Sequence, residues 1–595
     1  LLAQDAVNPD FCNEDGRTPL SWAAENGHET VVKLLLAQDA VNPNFCNEDS
    51  RTPLSWAADN GHEAVVKLLL AQDGVNPDSR NKYGQTSLLL AAAKRHDTIV
   101  KLLLTQGSVD QAPLLLLAAE NGREAVVKLL LAQGSIDADS RNMYGQTPLL
   151  LAAGNGREAV VKLLLAQGRI DPDSRNMYGQ TPLLLAAAKR HDTIVKLLLA
   201  KNGVNPNSHD DDDRTPLSWA AENGREVVVE LLLAQDGVNP DSRNKYGQTP
   251  LLLAAKNGRE AVVKLLLAQG RIDPDSRNMY GQTPLLLAAG NGREAVVKLL
   301  LAQGRIDPDS RNMYGQTPLL LAAAKRHDTI VKLLLAQNGV NPNSHDDDDR
   351  TPLSWAAENG REVVVELLLA QDGVNPDSRN KYGQTPLLLA AWNGHGAVVK
   401  LLLAQDGIDP DSRNKYGQTP LLLAAKNGRE AVVKLLLAQD SVNPNSHDKF
   451  DRTPLSWAAE NGHEVVVELL LAQDVVNPSA PNKYGQTPLL LAAENGREAV
   501  VKLLLAHNDI DPNSRNKDSQ TPLLLAAWNG HGPVVKLLLA QDGIDPNSQD
   551  LEGATPTSRA IEYGHEAVAV MLLDILPKGP SFVYERYLKA SRHVF

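Results

Sequence analysis

Apolar residues recur along this chain in two short runs that return every 34 residues. In one unit the first run is 149–153, Leu-Leu-Leu-Ala-Ala, and the second is 160–165, Val-Val-Lys-Leu-Leu-Leu. Runs of this length and spacing predict a pair of short helices in each unit. A single pair cannot bury both of its faces, so the pattern predicts that consecutive pairs stack on one another.

The residues around the two runs set the expected helix ends. Thr147 stands at an N-cap position, and Pro148 follows in the first turn, where its missing N–H costs nothing. The first helix is expected over 149–155, and Gly156 ends it because glycine readily takes the left-handed conformation. The second helix is expected to begin at Glu158, an acid near the positive end of the helix dipole.

The Thr-Pro-Leu signature organises nearly the whole chain into 17 units. The spacing is 34 residues from Thr147 to Thr555, and one earlier unit is seven residues shorter, around 108–112. The units are anchored at Thr18, Thr52, Thr86, Pro113, Thr147, Thr181, Thr215, Thr249, Thr283, Thr317, Thr351, Thr385, Thr419, Thr453, Thr487, Thr521 and Thr555.

The two ends depart from the pattern. We expect residues 1–10 to be a truncated partial repeat, residues 11–575 to be the repeat array, and residues 576–595 to be a C-terminal tail. Residues 583–594 form a short amphipathic capping helix in one interpretation and dock elsewhere in another. The last unit carries polar residues in place of apolar ones, which is what a solvent-facing cap requires: Thr557, Arg559, Glu562 and Tyr563.

Residues 15–28 read Asp-Gly-Arg-Thr-Pro-Leu-Ser-Trp-Ala-Ala-Glu-Asn-Gly-His, which resembles the ankyrin repeat. The resemblance implies an all-α repeat solenoid of stacked helix–turn–helix units with short β-hairpin or loop fingers. Ser or Leu replaces the family's His after Thr-Pro-Leu, so a family hydrogen bond to the Thr should be missing or replaced. The sequence of the repeats also resembles the long ankyrin arrays of filamentous fungi, which often follow an NLR-like (NACHT) module.

Composition and charge narrow the classes of partner. The chain has 595 residues, 4% of them aromatic, which agrees with one repeated core of Leu, Val and Ala. The sequence has 59 basic and 72 acidic residues, so we expect that its partner is not a nucleic acid. Its apolar runs are too short to span a membrane. Cys12 and Cys46 lie one repeat apart, so we expect unpaired thiols in the cytoplasm or the nucleus.

Motifs of an enzyme or of a bound cofactor are missing from the sequence. It contains no Gly-x-x-x-x-Gly-Lys-Ser/Thr, Gly-x-Ser-x-Gly, His-Glu-x-x-His or Cys-x-x-Cys. The acidic runs 209–213 and 345–349 lack the spacing of a calcium loop, so we interpret them as solvated finger tips. Six histidines after a helix-ending glycine are interpreted as structural rather than as metal ligands: His28, His62, His395, His463, His531 and His565.

The scarce aromatic residues occupy fixed positions in the repeat. Nine tyrosines stand before the finger glycine: Tyr83, Tyr144, Tyr178, Tyr246, Tyr280, Tyr314, Tyr382, Tyr416 and Tyr484. Five tryptophans beside the Ala pair are expected in the core: Trp22, Trp56, Trp219, Trp355 and Trp457. Trp392, Trp528, Lys256 and Lys426 directly follow the Ala pair, a position that the family resemblance places in the concave binding groove with the finger tips.

We therefore predict a non-catalytic scaffold, monomeric and without cofactor or metal, that binds a protein partner in its groove. The predicted contact residues are the nine tyrosines, Trp392, Trp528, Lys256 and Lys426, because exposed aromatic residues are favoured at binding hot spots. The tyrosines pack between fingers in the alternative interpretation. In its finer form this hypothesis makes the scaffold the ligand-sensing array of a larger fungal NLR-like receptor. The alternatives for the whole chain are a substrate adaptor or inhibitory module of an enzyme encoded upstream of residue 1, or a mechanical spacer.

Overall fold

The computed structural model describes residues 10–106, 111–134 and 136–575, and within them it contains 34 α-helices and no strand. Apart from Asp10, the predicted partial repeat at 1–10 lies outside the described residues, as does the tail at 576–595. None of the described helices combines the length and the apolar run that crossing a membrane requires.

The helices alternate between first and second members of 17 pairs. The first helices are α1 (Pro19–Glu25), α3 (Pro53–Asn60), α5 (Ser87–Ala93), α7 (Ala112–Asn121), α9 (Pro148–Gly154), α11 (Pro182–Lys189), α13 (Pro216–Asn223), α15 (Pro250–Asn257), α17 (Pro284–Gly290), α19 (Pro318–Ala324), α21 (Pro352–Glu358), α23 (Pro386–Asn393), α25 (Pro420–Lys426), α27 (Pro454–Asn461), α29 (Pro488–Glu494), α31 (Pro522–Trp528) and α33 (Pro556–Glu562).

The second helices have nearly constant length. They are α2 (Glu29–Leu36), α4 (Glu63–Leu70), α6 (Asp97–Leu104), α8 (Glu124–Ala132), α10 (Glu158–Leu165), α12 (Asp192–Leu199), α14 (Glu226–Leu233), α16 (Glu260–Leu267), α18 (Glu294–Leu301), α20 (Asp328–Leu335), α22 (Glu362–Leu369), α24 (Gly396–Leu403), α26 (Glu430–Leu437), α28 (Glu464–Leu471), α30 (Glu498–Leu505), α32 (Gly532–Leu539) and α34 (Glu566–Leu573).

The predicted capping residues hold the helix ends. Thr147 Oγ1 accepts a hydrogen bond from the backbone N–H of Leu150 at 3.3 Å, and Pro148 opens the helix. Gly156 has a φ of +72°, which confirms the left-handed turn between the helices. A Cβ on Gly156 would also lie 2.7 Å from the His191 ring of the next repeat, which favours glycine here. The equivalent position of three other repeats holds an arginine in the same left-handed conformation: Arg95, Arg190 and Arg326.

The core is made between neighbouring pairs. Ala152, Ala153, Val161 and Leu164 are fully buried, as are their counterparts in most repeats. The described residues fall into two compact units, one made of 10–288 with 295–306 and the other of 289–294 with 307–575. Within each unit, first helices pack on first helices and second helices on second helices, as in a repeat solenoid.

A serine replaces the family's histidine as the partner of the capping threonine. The Oγ1 of Thr147 lies 3.1 Å from the Oγ of Ser174, in the following finger, and both residues are buried. The same pair recurs down the chain, for example between Thr419 and Ser446 at 3.0 Å. The hydrogen bond predicted to be missing or replaced is therefore replaced, and it joins one repeat to the next.

The fingers between pairs are loops in the described residues, which is one of the two predicted forms, rather than β-hairpins. Asn142 Oδ1 accepts hydrogen bonds from the backbone N–H groups of Tyr144 and Gln146, at 3.0 and 2.9 Å, so a side chain closes the loop. Adjacent fingers are joined by a single backbone bond, such as Met177 N–H to Tyr144 C=O at 3.0 Å. One bond at each junction does not make the repeated ladder that defines a strand.

The histidines after the helix-ending glycine join consecutive repeats. His62 Nε2 lies 2.8 Å from the backbone carbonyl of Glu25, at the end of the preceding first helix. His395, His463 and His531 make the same contact at 3.0 Å. In other repeats the Nε of an arginine replaces the ring, as in Arg157. The structural interpretation of this position is confirmed for these four histidines.

The last pair does not place all of its polar residues toward solvent. Arg559 is buried, against the expectation for a cap, and it pairs with Asp550, Glu552 and Glu562. The reason is that Asp550 lies beneath it and accepts two of its N–H groups. Tyr563 is 50% exposed, as a cap requires.

Candidate functional site

Two kinds of repeat differ in the residues that link a finger to its first helix. In a Leu-type repeat the fourth residue after the anchoring Thr is Leu, and the finger asparagine Asn176 donates through Nδ2 to Gln180 Oε1 at 3.0 Å. In a Trp-type repeat that residue is Trp, and Asp210 accepts from Trp219 Nε1 at 3.0 Å. Arg214 takes the Gln position there, 4.9 Å from the centre of the Trp219 ring.

The tryptophans of the Trp-type repeats lie on the side of the first helices that faces the fingers, and of the five predicted to lie in the core only Trp56 is buried. Trp22 is 46% exposed, so its predicted core location is wrong. Trp56 is buried because Arg51 and Arg17 cover its ring at 3.5 and 4.4 Å. The other three are half-buried: Trp219, Trp355 and Trp457. A stacked cation alone does not bury this position, since the Arg17 guanidinium also lies 5.0 Å from the ring of the exposed Trp22.

The acidic runs are only partly solvated tips. Asp210 is buried and accepts from the backbone N–H groups of Asp212 and Arg214 as well as from a tryptophan, so it is a structural residue. Asp213 is exposed and lies 3.7 Å from His209. No group of side chains in the described part of the chain has the composition of a metal site. Both cysteines are free, and Cys46 is exposed.

The nine tyrosines predicted to contact a partner all lie on the surface. Their exposed fractions run from 38% at Tyr246 to 72% at Tyr83. The backbone N–H of each is bonded within its own finger, as Tyr416 is to Asn414 Oδ1 at 2.9 Å, so the backbone that carries the ring is fixed. The tyrosines therefore form an exposed aromatic row along the fingers of each unit, and their contact with a partner stays a prediction.

The structure separates the two tryptophans that follow an Ala pair. Trp392 is 40% exposed, whereas Trp528 is half-buried beside the last repeat. The ring of Trp528 lies 5.4 Å from that of Tyr563, and the Arg559 guanidinium lies 4.5 Å from its centre. Trp528 therefore packs laterally against Tyr563 and Arg559 of the last repeat, which is the alternative to a partner contact.

The two lysines at the same position also differ. Lys256 is exposed. Lys426 is half-buried, and its Nζ lies 3.9 Å from the centre of the Trp457 ring. Burial lowers the pKa of Lys426, and the positive charge of Arg452 lowers it further, while Glu460 and Asp448 oppose the shift. Lys426 is therefore a cation held against an aromatic face.

A hollow of about 560 Å³ brings several predicted residues together in the second unit. Three consecutive repeats, anchored at Thr385, Thr419 and Thr453, supply its walls. Its lining joins aromatic rings to cationic groups: Tyr382, Trp392, Tyr416, Phe450, Trp457, Lys426, Lys449 and Arg452, with Gln384, Asn414, Gln418 and Asp448 between them.

Eight of the twelve lining residues are not among the site residues predicted from the sequence, and they include Lys449, Phe450, Arg452 and Trp457. Phe450 stands at the tyrosine position of its finger, so its place in the repeat could have revealed it. Trp457 had been assigned to the core, and only the fold shows that its ring faces Lys426. Arg452 is 4.4 Å from the same ring and 3.1 Å from Glu460 Oε2.

Comparison with known families agrees with the repeat count. A family model described as "Ankyrin repeats (3 copies)" matches overlapping segments that together cover almost the whole chain. The matched residues are 1–81, 40–113, 72–142, 115–210, 193–278, 270–346, 321–414, 353–448, 421–516, 472–550 and 509–579. A search of curated proteins gives no match.

Proposed function

The chain belongs to the ankyrin repeat family, and from that premise we propose that it is a non-catalytic scaffold that binds a protein partner. Ankyrin arrays are in general protein–protein interaction modules. The partner is proposed to lie across the finger tips and the first helices. The observation that carries this assignment is the hollow lined by Trp392, Tyr416 and Lys426 with their neighbours from three successive repeats.

The chemistry of the hollow suits a protein surface. Aromatic side chains give much contact area for few rotatable bonds, and they dominate the energetics of many interfaces. Trp392 and Tyr416 are 40% and 58% exposed, so a partner would remove apolar surface from water. The fingers are already held by side-chain and backbone hydrogen bonds, so little conformational entropy is lost on binding.

Site-specific photocrosslinking tests this assignment. A photoreactive phenylalanine analogue is placed at Tyr416 of the full chain, and at Lys400 as a control, since Lys400 is exposed on α24 in the same unit. We expect a crosslinked protein from position 416 and none from position 400. Trp392→Ala in the same chain should abolish the crosslink. Equal crosslinking from both positions, or none from 416, would contradict the proposed face.

The identity of the captured protein separates the finer roles. An enzyme substrate would support an adaptor, and a foreign or stress-related ligand would support the sensor array of a larger NLR-like receptor. A mechanical spacer predicts that Trp392→Ala leaves every associated protein in place. Loss of the bound protein in Trp392→Ala would therefore support a binding role, and its retention would support a spacer, whichever protein is captured.

A further inference from the structure

The residue before the tyrosine position is a lysine in seven fingers, and its surroundings differ along the chain. Lys82 and Lys245 pair with Asp49 and Asp212, which stand at the aromatic position of the preceding finger. Lys381 follows Asp348 in the same way, but among the described residues Lys82 and Lys245 are the two members of the set that form an ion pair. Their charge is therefore neutralised within the array.

Four later lysines have an aromatic residue where that carboxylate would be. Lys415, Lys449, Lys483 and Lys517 are exposed, and we call them the basic strip. The residues at the aromatic position of the preceding fingers are Tyr382, Tyr416, Phe450 and Tyr484. The basic strip thus presents four charges on consecutive fingers, each beside a ring, with no carboxylate at the pairing position.

The register of the basic strip is fixed by the backbone. The N–H groups of its four lysines donate to the carbonyl groups of those same preceding aromatic residues, at 2.9 to 3.1 Å. Stacked helix pairs are separated by about 10 Å, so the lysines recur at about that distance. An extended peptide in the polyproline II conformation has three residues per turn and rises about 3.1 Å per residue, so every third side chain lies on the same face and recurs at about 9 Å, close to the spacing of the lysines.

The hollow adds an apolar site beside these charges. Lys449 of the basic strip lines the hollow, together with the Trp392, Tyr416 and Phe450 rings. Lys426 lies within it against Trp457, half-buried and cationic. A ligand that passes along the strip would therefore find cations at regular intervals and one aromatic pocket of limited length.

We propose that the partner presents an extended acidic segment, with carboxylates at every third residue and one apolar side chain in the hollow. This inference rests on the proposed function and names the chemistry of its partner. A peptide is favoured over a single-stranded nucleic acid because carboxylates lie along the same surface. Glu460 and Glu494 hold the position of Lys426 in the next two first helices, and the buried Asp448 borders the hollow. A nucleic acid carries a phosphate at every nucleotide, so its backbone would be repelled by these acids. A peptide with an acid only at every third residue can place its carboxylates beside the lysines and away from the acids.

Fluorescence anisotropy with the full chain tests the pattern. The probe is a labelled peptide of Gly and Ser with Glu at positions 1, 4, 7 and 10 and one Phe between the first two acids. The reference has the same composition with its four Glu adjacent. We expect the spaced peptide to bind about tenfold more tightly, because it alone can meet all four lysines. Its affinity should fall with added salt.

Charge reversals in the chain provide matched variants. Lys415→Glu combined with Lys483→Glu should weaken binding of the spaced peptide about tenfold or more, since both residues then repel it. Lys245→Glu changes the same finger position where an acid already neutralises it, and it should change the affinity less than twofold. Circular dichroism of each variant shows that the helices are retained.

Three outcomes would overturn the inference. These are equal affinity for the two peptides, equal loss in the Lys245 control, and tighter binding of a ten-nucleotide single-stranded RNA than of the spaced peptide. None of them touches the proposed function. A partner that crosslinks to position 416 through a segment without acids would keep the scaffold and remove only the acidic pattern.

Discussion

The repeat anchored at Thr215 and the last repeat, anchored at Thr555, use the same finger residue for different partners. Asp210 accepts two backbone N–H groups of its finger through one oxygen and Trp219 Nε1 through the other. Asp550 keeps the two backbone bonds, but its second oxygen accepts from the Arg559 guanidinium at 2.7 and 3.1 Å. One carboxylate oxygen therefore holds the finger loop, while the other accepts a hydrogen bond from a side chain of the first helix, which is Trp219 in one repeat and Arg559 in the other.

The Leu-type repeats extend the same comparison to a neutral residue. There the finger residue is Asn, which keeps the two backbone bonds through its oxygen and donates through its nitrogen to a Gln, as in Asn278 and Gln282. In the set built on Asn278 the finger donor meets an acceptor, and in the set built on Asp210 the finger acceptor meets a donor. The exchange of Asn and Gln for Asp and Trp, or for Asp and Arg, is thus a change of a whole hydrogen-bonded set.

The largest effect is expected from Arg559→Leu, which leaves Asp550 buried without its cation. We expect the last repeat to lose about 3 kcal/mol, the order found when one member of a buried ion pair is removed. Native-state hydrogen exchange of α33 and α34 would measure it. The double variant with Asp550→Asn should recover most of the loss, because the buried group is then neutral. Equal destabilisation in both variants would show that the ion pair is not the cause.

The pH dependence of the same repeat has a definite sign. Burial opposes ionisation of Asp550, but the hydrogen bonds from Arg559 and from the Ala554 N–H outweigh it and lower the pKa of Asp550. A lowered pKa in the folded state stabilises the repeat above the ordinary Asp pKa, and this contribution is lost as the pH falls. The protection factor of α33, which is corrected for the intrinsic exchange rate at each pH, should fall on acidification in the wild type and change less in Arg559→Leu.

A smaller effect is expected where a tryptophan loses its acceptor. In Asp210→Asn the amide can keep the loop, but its nitrogen then faces Trp219 Nε1, donor against donor, at a cost of about 1 kcal/mol. The chain contains this combination already, since the indole N–H of buried Trp56 finds no acceptor above Asn47. Asn47→Asp should therefore stabilise its repeat. Urea unfolding measures the free energy of unfolding of both variants. A change of the same sign in both would contradict the idea that the indole N–H needs an acceptor in the finger.

Much of the fold could be predicted because it depends on neighbours in sequence. The Thr147 cap and the Gly156 turn are set by contacts within a few residues, and the structure confirms them. The partner of Asp210, nine residues away, could not be found in this way, since only the closed finger brings Trp219 above it. The hollow is formed by residues of three repeats, and a sequence does not show which side chains of different repeats meet. Trp392 can be predicted from its unusual position within one repeat, whereas the place of Trp457 in the hollow follows only from the fold.

The smallest effect concerns Glu494, which occupies the position that an arginine neutralises in Trp-type repeats. Glu460 pairs with Arg452, whereas Glu494 accepts only from Gln486, at 3.0 Å. Burial raises the pKa of Glu494, and the neighbouring Glu460 raises it further. A raised pKa in the folded state means that ionisation costs stability as the pH rises above the ordinary Glu value.

Glu494→Gln should therefore stabilise the chain at pH 7, by about 0.5 kcal/mol or less. The gain should vanish near about pH 3, where Glu494 is protonated in both the folded and the unfolded wild type. Urea unfolding at the two pH values measures it. Glu460→Gln is the matched control: it removes an ion pair instead of an isolated charge, so its effect at pH 7 should be neutral or destabilising. A gain of equal size in both variants would mean that the arginine does not distinguish the two repeat types at this position.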